Sequence, residues 1–248
     1  MTLAANLARI REHIAGACRI ANRPESEVAL MAVSKNHSTE TILEAYAAGL
    51  RFFGESRVQE WQQKMPALEH LFNSTRSDSP SAQEPAAHVH LIGPLQSNKT
   101  ARAVELFHTI DTVVSLKIAA RLDTAARALG KRLPILIEVK LSHEAAKHGV
   151  LPVELPALLA GLAPLDGLLP AGLMTVPPWS EDPEQARPYF RELRCLRDRS
   201  LAACPTITQL SMGMSNDFAV AIQEGSTCIR IGTALFGRRQ YAARALSQ

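Results

Sequence analysis

Ala29-Leu30-Met31-Ala32-Val33-Ser34-Lys35 is the stretch that decides the fold. It is a short apolar run that reads as a strand buried on both faces, and an amphipathic segment at 39–48 follows it and stops at Gly49. The same alternation recurs to the end of the chain. Strands are predicted at 29–34, 51–54, 89–93, 109–114, 135–139, 172–176, 207–211 and 228–231. Helices are predicted at 39–48, 99–107, 116–129, 155–162, 183–201 and 216–224, with Gly49, Gly130 and Gly225 as stop signals. Repeated βα units argue for a parallel sheet, and eight strands are the number that closes it into an α/β barrel, the (β/α)8 or TIM-barrel architecture. A further amphipathic helix at 3–20 precedes the first strand and is expected to cover the bottom or side of the barrel.

With 248 residues, 46% of them hydrophobic and 5% aromatic, the chain can bury one large core, and one domain over 1–248 is expected. The segment 73–87, NSTRSDSPSAQEPAA, lacks apolar periodicity and is read as a flexible surface loop, because the βα pattern resumes directly after it. No apolar stretch approaches the roughly 18 to 20 residues that cross a bilayer, and 1–16 has no signal-like apolar block. A cytoplasmic protein without a membrane partner is expected. Cys18, Cys195, Cys204 and Cys228 form no CxxC pair and read as reduced thiols. The net charge of +3 comes from mixed signs, and the densest basic stretch, 187–199, reads as a solvated helix face. Without a basic stripe and stacking aromatics, no nucleic-acid partner is expected.

Lys35 places an amine at the C-terminal end of the first strand, where active-site groups of α/β barrels gather. An isolated strand-end lysine is usually just solvated, so the other strand ends carry the decision. The runs Leu210-Ser211-Met212-Gly213-Met214-Ser215-Asn216-Asp217 and Arg230-Ile231-Gly232-Thr233 follow the last two strands, where α/β barrels commonly bind phosphate. Ser211, Gly232 and Thr233 read either as a phosphate cup, with the short helix starting near Thr233 adding its dipole, or as ordinary caps of strands and turns. Arg230 interrupts an apolar run and is expected to face the barrel mouth, since a guanidinium buried without partners is costly. An amine, an anion cup and an interior arginine suit a phosphorylated aldehyde, and pyridoxal 5′-phosphate meets all three requirements. No metal site is expected. His143 and His148 lie five apart and point to different helix faces, and His88 and His90 share a strand face but lack a third ligand.

Six pieces in order carry a family resemblance: AVSK ending at Lys35, FFGESRVQEW from Phe52, HLIGPLQSNK from His90, GLMTVPP from Gly172, LSMGMSNDF from Leu210 and GSTCIRIGTALFG from Gly225. Together they resemble the YggS/PROSC family of pyridoxal phosphate homeostasis proteins over nearly the entire chain. The resemblance implies a barrel similar to the N-terminal domain of alanine racemase, without that enzyme's second domain. It also implies a Schiff base at Lys35, phosphate contacts at Ser211, Gly232 and Thr233, and Arg230 at the ring nitrogen. Two positions depart from the family pattern. Ser56 stands where Asn is usual, which shortens any polar contact from that side chain to the cofactor. Lys140 stands where Asn is common and is read as a solvated strand-end lysine.

The resemblance points to a monomer that holds the cofactor, limits free aldehyde and hands it to apo-enzymes dependent on it, with no catalytic residue assigned. An arginine facing the ring nitrogen disfavours its protonation and so weakens the electron sink. The alternative is an amino-acid racemase or related enzyme that uses Lys35 and a second acid/base among Tyr46, Tyr189 and His90. A third reading, a barrel for another phosphorylated metabolite or a flavin, would use Lys35 as a simple cation.

Overall fold

Eight parallel strands close in sequence order, β1 through β8, into a barrel in a computed structural model that describes residues 2–72, 86–142 and 148–237. The strands are β1 (Ala29–Val33), β2 (Phe52–Glu55), β3 (His88–Leu91), β4 (Thr109–Val113), β5 (Leu133–Glu138), β6 (Leu168–Met174), β7 (Gln209–Ser211) and β8 (Cys228–Ile231). The helices are α1 (Leu3–Ile20), α2 (Thr39–Ala47), α3 (Val58–Phe72), α4 (Thr100–Leu106), α5 (Leu116–Ala128), α6 (Leu155–Leu162), α7 (Arg187–Ser200), α8 (Phe218–Gln223) and α9 (Thr233–Phe236). Closure runs through the β1–β8 ladder, with Met31 opposite Arg230, while β7 meets β8 at the single pair Ser211 and Cys228.

Alternation along the strands divides the interior in two. Ala32, Phe53, Val89, Leu91, Ile110, Ile135, Ile137, Leu173, Leu210, Ile229 and Ile231 point outward and merge with the buried faces of the helices into one continuous core. Each large apolar side chain fully buried there contributes roughly 1.5–3 kcal/mol. The lumen is different. Among the described residues it mixes apolar side chains, the cluster Leu136, Ala171 and Met174 and also Met31 and Val33, with polar ones, among them His90, Asp111, Ser211 and Arg230.

The predicted barrel is present, with instructive shifts at its margins. β5 and β6 begin two and four residues earlier than the sequence pattern suggests, because Pro134 and Pro170 read as breakers yet lie inside the strands. The pair absorbs this by a register shift in which Ile135 faces Pro170 and Leu136 faces Gly172. Helix α3 has no counterpart among the predicted helices. Pro66 lies in its interior, where it cannot donate to the Gln62 carbonyl and blurs the helical signal. The predicted helix at 183–201 splits into a 3-10 turn, Pro183–Ala186, and α7.

The N-terminal helix covers the side of the barrel, packing on α8 and α9, and Asn6 donates from Nδ2 to the Leu235 carbonyl at 2.9 Å. The basic face of α7 is more than solvated surface: Arg187, Arg191 and Arg194 converge at 3.0–3.2 Å on the buried carboxylate of Glu224. Of the expected loop 73–87, residues 73–85 lie outside the described residues, as do 143–147, all of the His143 to His148 motif except His148. Among the described residues no helix is long and apolar enough to cross a membrane, and no group of three metal-ligating side chains forms.

Candidate functional site at the barrel mouth

A cavity of about 490 Å³ opens at the C-terminal ends of the strands, lined by Val33, Lys35, Ile92, Val176, Trp179, Ser180, Met214, Ser215, Asn216, Asp217, Arg230, Gly232 and Thr233. It brings together four of the five residues singled out in the sequence, Lys35, Arg230, Gly232 and Thr233. The fifth, Ser211, is fully buried and does not line the cavity. Its Oγ accepts a hydrogen bond from Arg230 Nη1 at 2.8 Å, which places the hydroxyl behind the guanidinium.

Arg230 projects from β8 into the lumen, where Nη2 donates to the Thr175 carbonyl at 2.8 Å. Two fixed bonds on one face of a planar fork hold the other side toward the cavity. Burial lowers the pKa of this guanidinium, and Asp111, Asp217 and Glu138 oppose that shift. Cys228, two residues before it, is pushed up to about 12 by burial and remains a neutral thiol. Burial also raises Asp217, and it raises Glu138 to about 7.

The loop after β7 contributes more of the wall than the sequence suggests. Gly213, at φ +96, makes the turn, and a Cβ there would stand 2.6 Å from the Ala221 side chain. Asp217 sits at the N-cap position of α8 but does not cap it. Its Oδ1 reaches back to accept the Met214 N–H at 2.6 Å, closing the loop on itself. Ser215 then accepts the Ala234 N–H at 3.3 Å, tying this loop to α9, and Asn216 donates to the Ser180 carbonyl at 2.9 Å, tying it to the loop after β6. Ser215 and Asp217 lay within a motif already recognised, but which of its polar residues turn inward depends on that loop closure. Trp179, three-quarters exposed on the lip, carries no periodic signal at all.

None of the three alternative acid/base residues lines this cavity. Tyr46 lies under the Arg51 guanidinium, 4.0 Å from ring centroid to Cζ, and Tyr189 is on α7. His90 is in the lumen, with Nδ1 2.9 Å from Asp111 Oδ1 and its ring edge-on to Phe52. Of the two departures from the family pattern, Ser56 packs against Gly93, where a Cβ would come within 2.3 Å of the Ser56 carbonyl. Lys140 is half-buried. It lines a second cavity of about 210 Å³ with Glu138, Ser142 and His148, and that cavity shares Val176 with the first.

The chemistry of the lining suits a phosphorylated aromatic aldehyde. Val33, Ile92, Val176 and Trp179 offer apolar walls, Ser215 and Thr233 offer hydroxyls beside Gly232, and Lys35 offers a primary amine. The family model for the alanine racemase N-terminal domain matches residues 3–240. The pyridoxal phosphate homeostasis protein of Pasteurella multocida is 39% identical over 98% of this chain and 100% of its own. That of Pseudomonas aeruginosa is 40% identical over 98% and 99%. Among solved structures, PipY of Synechococcus elongatus with PLP bound is 38% identical, with a TM-score of 0.80, over 95% of this chain and 100% of its own. An alanine racemase of Clostridium difficile is 14% identical with a TM-score of 0.70, a likeness of fold. This chain belongs to the family of pyridoxal phosphate homeostasis proteins, built on the alanine racemase N-terminal-domain barrel.

Proposed function

We propose that this chain binds pyridoxal 5′-phosphate reversibly, with Lys35 as the covalent attachment point, and buffers and supplies the cofactor in the cytoplasm rather than turning over a substrate. The observation that carries this reading is the convergence of Lys35, Thr233, Gly232, Ser215 and Arg230 on one cavity, in a chain whose relatives are named for homeostasis of that cofactor. When bound, the group supplies an aldehyde that condenses with a primary amine and releases water.

Lys35 provides the amine from the end of β1. Thr233 and Ser215 donate hydroxyl hydrogen bonds to the phosphate, and Gly232 lets the main chain approach it. Arg230, fixed by Ser211 and Thr175, faces the ring nitrogen. Ser211 therefore acts through Arg230 instead of touching phosphate. A guanidinium offers the ring no negative partner, so the site favours holding the cofactor over stabilising a carbanion on it. Tyr46, Tyr189 and His90 stand outside the cavity and are poorly placed to serve as a second base.

Titration of the purified protein with pyridoxal 5′-phosphate, followed by visible absorbance, borohydride reduction and peptide mass spectrometry, tests the reading. The adduct is expected on Lys35 and is lost in Lys35→Ala. Lack of any adduct at Lys35 overturns the binding mode. Racemisation or other turnover of L- or D-amino acids that Lys35→Ala abolishes overturns the carrier assignment.

A further inference from the structure

Residues 34 and 36, on either side of Lys35, are gripped from outside the cavity by three charged side chains of β2 and α3, Lys64 and Glu60 at the main chain and Glu55 at the Ser34 hydroxyl. Lys35 is the second residue of a tight turn in which the His37 N–H donates to the Ser34 carbonyl at 3.1 Å. Asn36, the third residue, is left-handed at φ 63, as a type II turn requires at that position, and asparagine tolerates it best after glycine. Ser34 is anchored three ways: its N–H donates to the Gly54 carbonyl at 3.0 Å, its Oγ to Glu55 Oε1 at 2.8 Å, and its carbonyl accepts from Lys64 Nζ at 3.1 Å. On the other side of Lys35, the Asn36 N–H donates to Glu60 Oε1 at 2.5 Å.

Lys64 joins these anchors. Its ammonium, which has three donors, bonds to Glu55 Oε1 at 2.9 Å, to Glu60 Oε1 at 2.7 Å and to the Ser34 carbonyl. Glu55 is fully buried at the end of β2, and its Oε2 has no partner among the described residues. Burial raises the Glu55 pKa. At Glu60 burial pushes the same way, but hydrogen bonds from Lys64 and the Asn36 N–H outweigh it and the pKa is lowered. A buried ion network is weak ground for stability alone, since apolar packing does as well. What apolar side chains cannot supply is directed bonding to residues 34 and 36. None of Glu55, Glu60 and Lys64 lines the cavity.

We infer that Lys64, with Glu55 and Glu60, is a clamp that sets the Lys35 turn so that the amine meets an incoming aldehyde, making all three positioning residues for the attachment reaction. The inference rests on the proposed role of Lys35 and deepens it. Two probes separate the clamp from a general structural role: pyridoxal 5′-phosphate, which reacts with the amine, and pyridoxine 5′-phosphate, which has an alcohol in place of the aldehyde and depends on the cavity alone.

Lys64→Met is expected to slow borohydride-trapped attachment at Lys35 by about tenfold or more while pyridoxine 5′-phosphate affinity stays within about twofold, a selective loss that misplacing one reactive group produces. Lys64→Arg, which keeps the charge and donors, is expected to recover part of the rate. Glu60→Gln, which keeps the shape and removes the charge that holds the Asn36 N–H, is expected to show the same split at smaller size and serves if Lys64→Met fails to fold. Attachment at the wild-type rate in Lys64→Met or, failing that variant, in Glu60→Gln overturns the clamp, and so does an equal loss with both probes. Failure of the wild-type protein to attach at Lys35 is a different result and counts against the proposed function itself.

Discussion

Arg230 Nη1 lies 2.8 Å from Ser211 Oγ across the junction of β7 and β8, so the hydroxyl expected at the phosphate accepts a hydrogen bond from the guanidinium that lines the cavity. Ser211→Ala removes a bond to a charged donor that has few substitutes in a buried setting, and is expected to lower stability by roughly 1.5–3 kcal/mol in denaturant unfolding. Affinity for pyridoxine 5′-phosphate is expected to change far less. A loss of affinity as large as that from substitution at the cup would return Ser211 to direct phosphate contact.

Thr233→Val preserves the shape of a residue on the cavity wall and deletes its hydroxyl. In the proposed site it is expected to weaken pyridoxine 5′-phosphate binding by about tenfold, the worth of one hydrogen bond to a charged group, and to leave the weak binding of unphosphorylated pyridoxine unchanged. Calorimetric titration of the two ligands checks the difference. Equal losses for both would place Thr233 against the ring.

Glu138 gives stability a slope on the neutral side. Burial raises its pKa to about 7 in the folded chain, against an ordinary value of 4.5, so the folded state binds this proton more tightly than the unfolded state. Stability from this group is therefore full below pH 4.5 and falls as pH rises through 7, by up to about 3 kcal/mol at 1.4 kcal/mol per unit. Glu138→Gln is expected to match the wild type near pH 4.5 and to exceed it at pH 8, as read from urea midpoints at the two values.

His108 tilts the acid side the other way. Burial, reinforced by His88, His90 and Lys131, lowers its pKa from 6.5 to about 4, and its Nδ1 accepts the Val89 N–H at 3.1 Å. Below pH 6.5 the unfolded chain takes up a proton that the folded chain refuses. Stability is thus lost as pH falls from 6.5 toward 4, again by up to about 3 kcal/mol. His108→Asn keeps an acceptor for Val89 without the titration, and its stability is expected to be flatter across that range in the same measurement.

The barrel was legible because each strand is a short apolar run and each helix ends at a glycine or a clear loss of period, as at Ala29–Val33 and Leu116–Ala128. The missed helix α3 and the late starts predicted for β5 and β6 fell where proline sits inside an element, at Pro66, Pro134 and Pro170, since proline's local rule is overridden by neighbours that supply the missing contacts. That Lys35, Arg230, Gly232 and Thr233 gather at one cavity was readable from their strand-end positions. The hydrogen bond from Arg230 to Ser211 was not, because it depends on how far a side chain of the neighbouring strand reaches. Lys64 was not readable either, since one more lysine on an amphipathic helix has no local mark, and its value comes from β2 and β1 meeting at Glu55 and Ser34.

The division between the outer core and the lumen bears on how such a chain can change over time. The shell between strands and helices is one continuous apolar core, while the lumen mixes a smaller set of apolar side chains with buried polar ones. Substitutions on the inner wall therefore draw on a small part of the stability margin, and binding preference can drift there while the shell stays fixed.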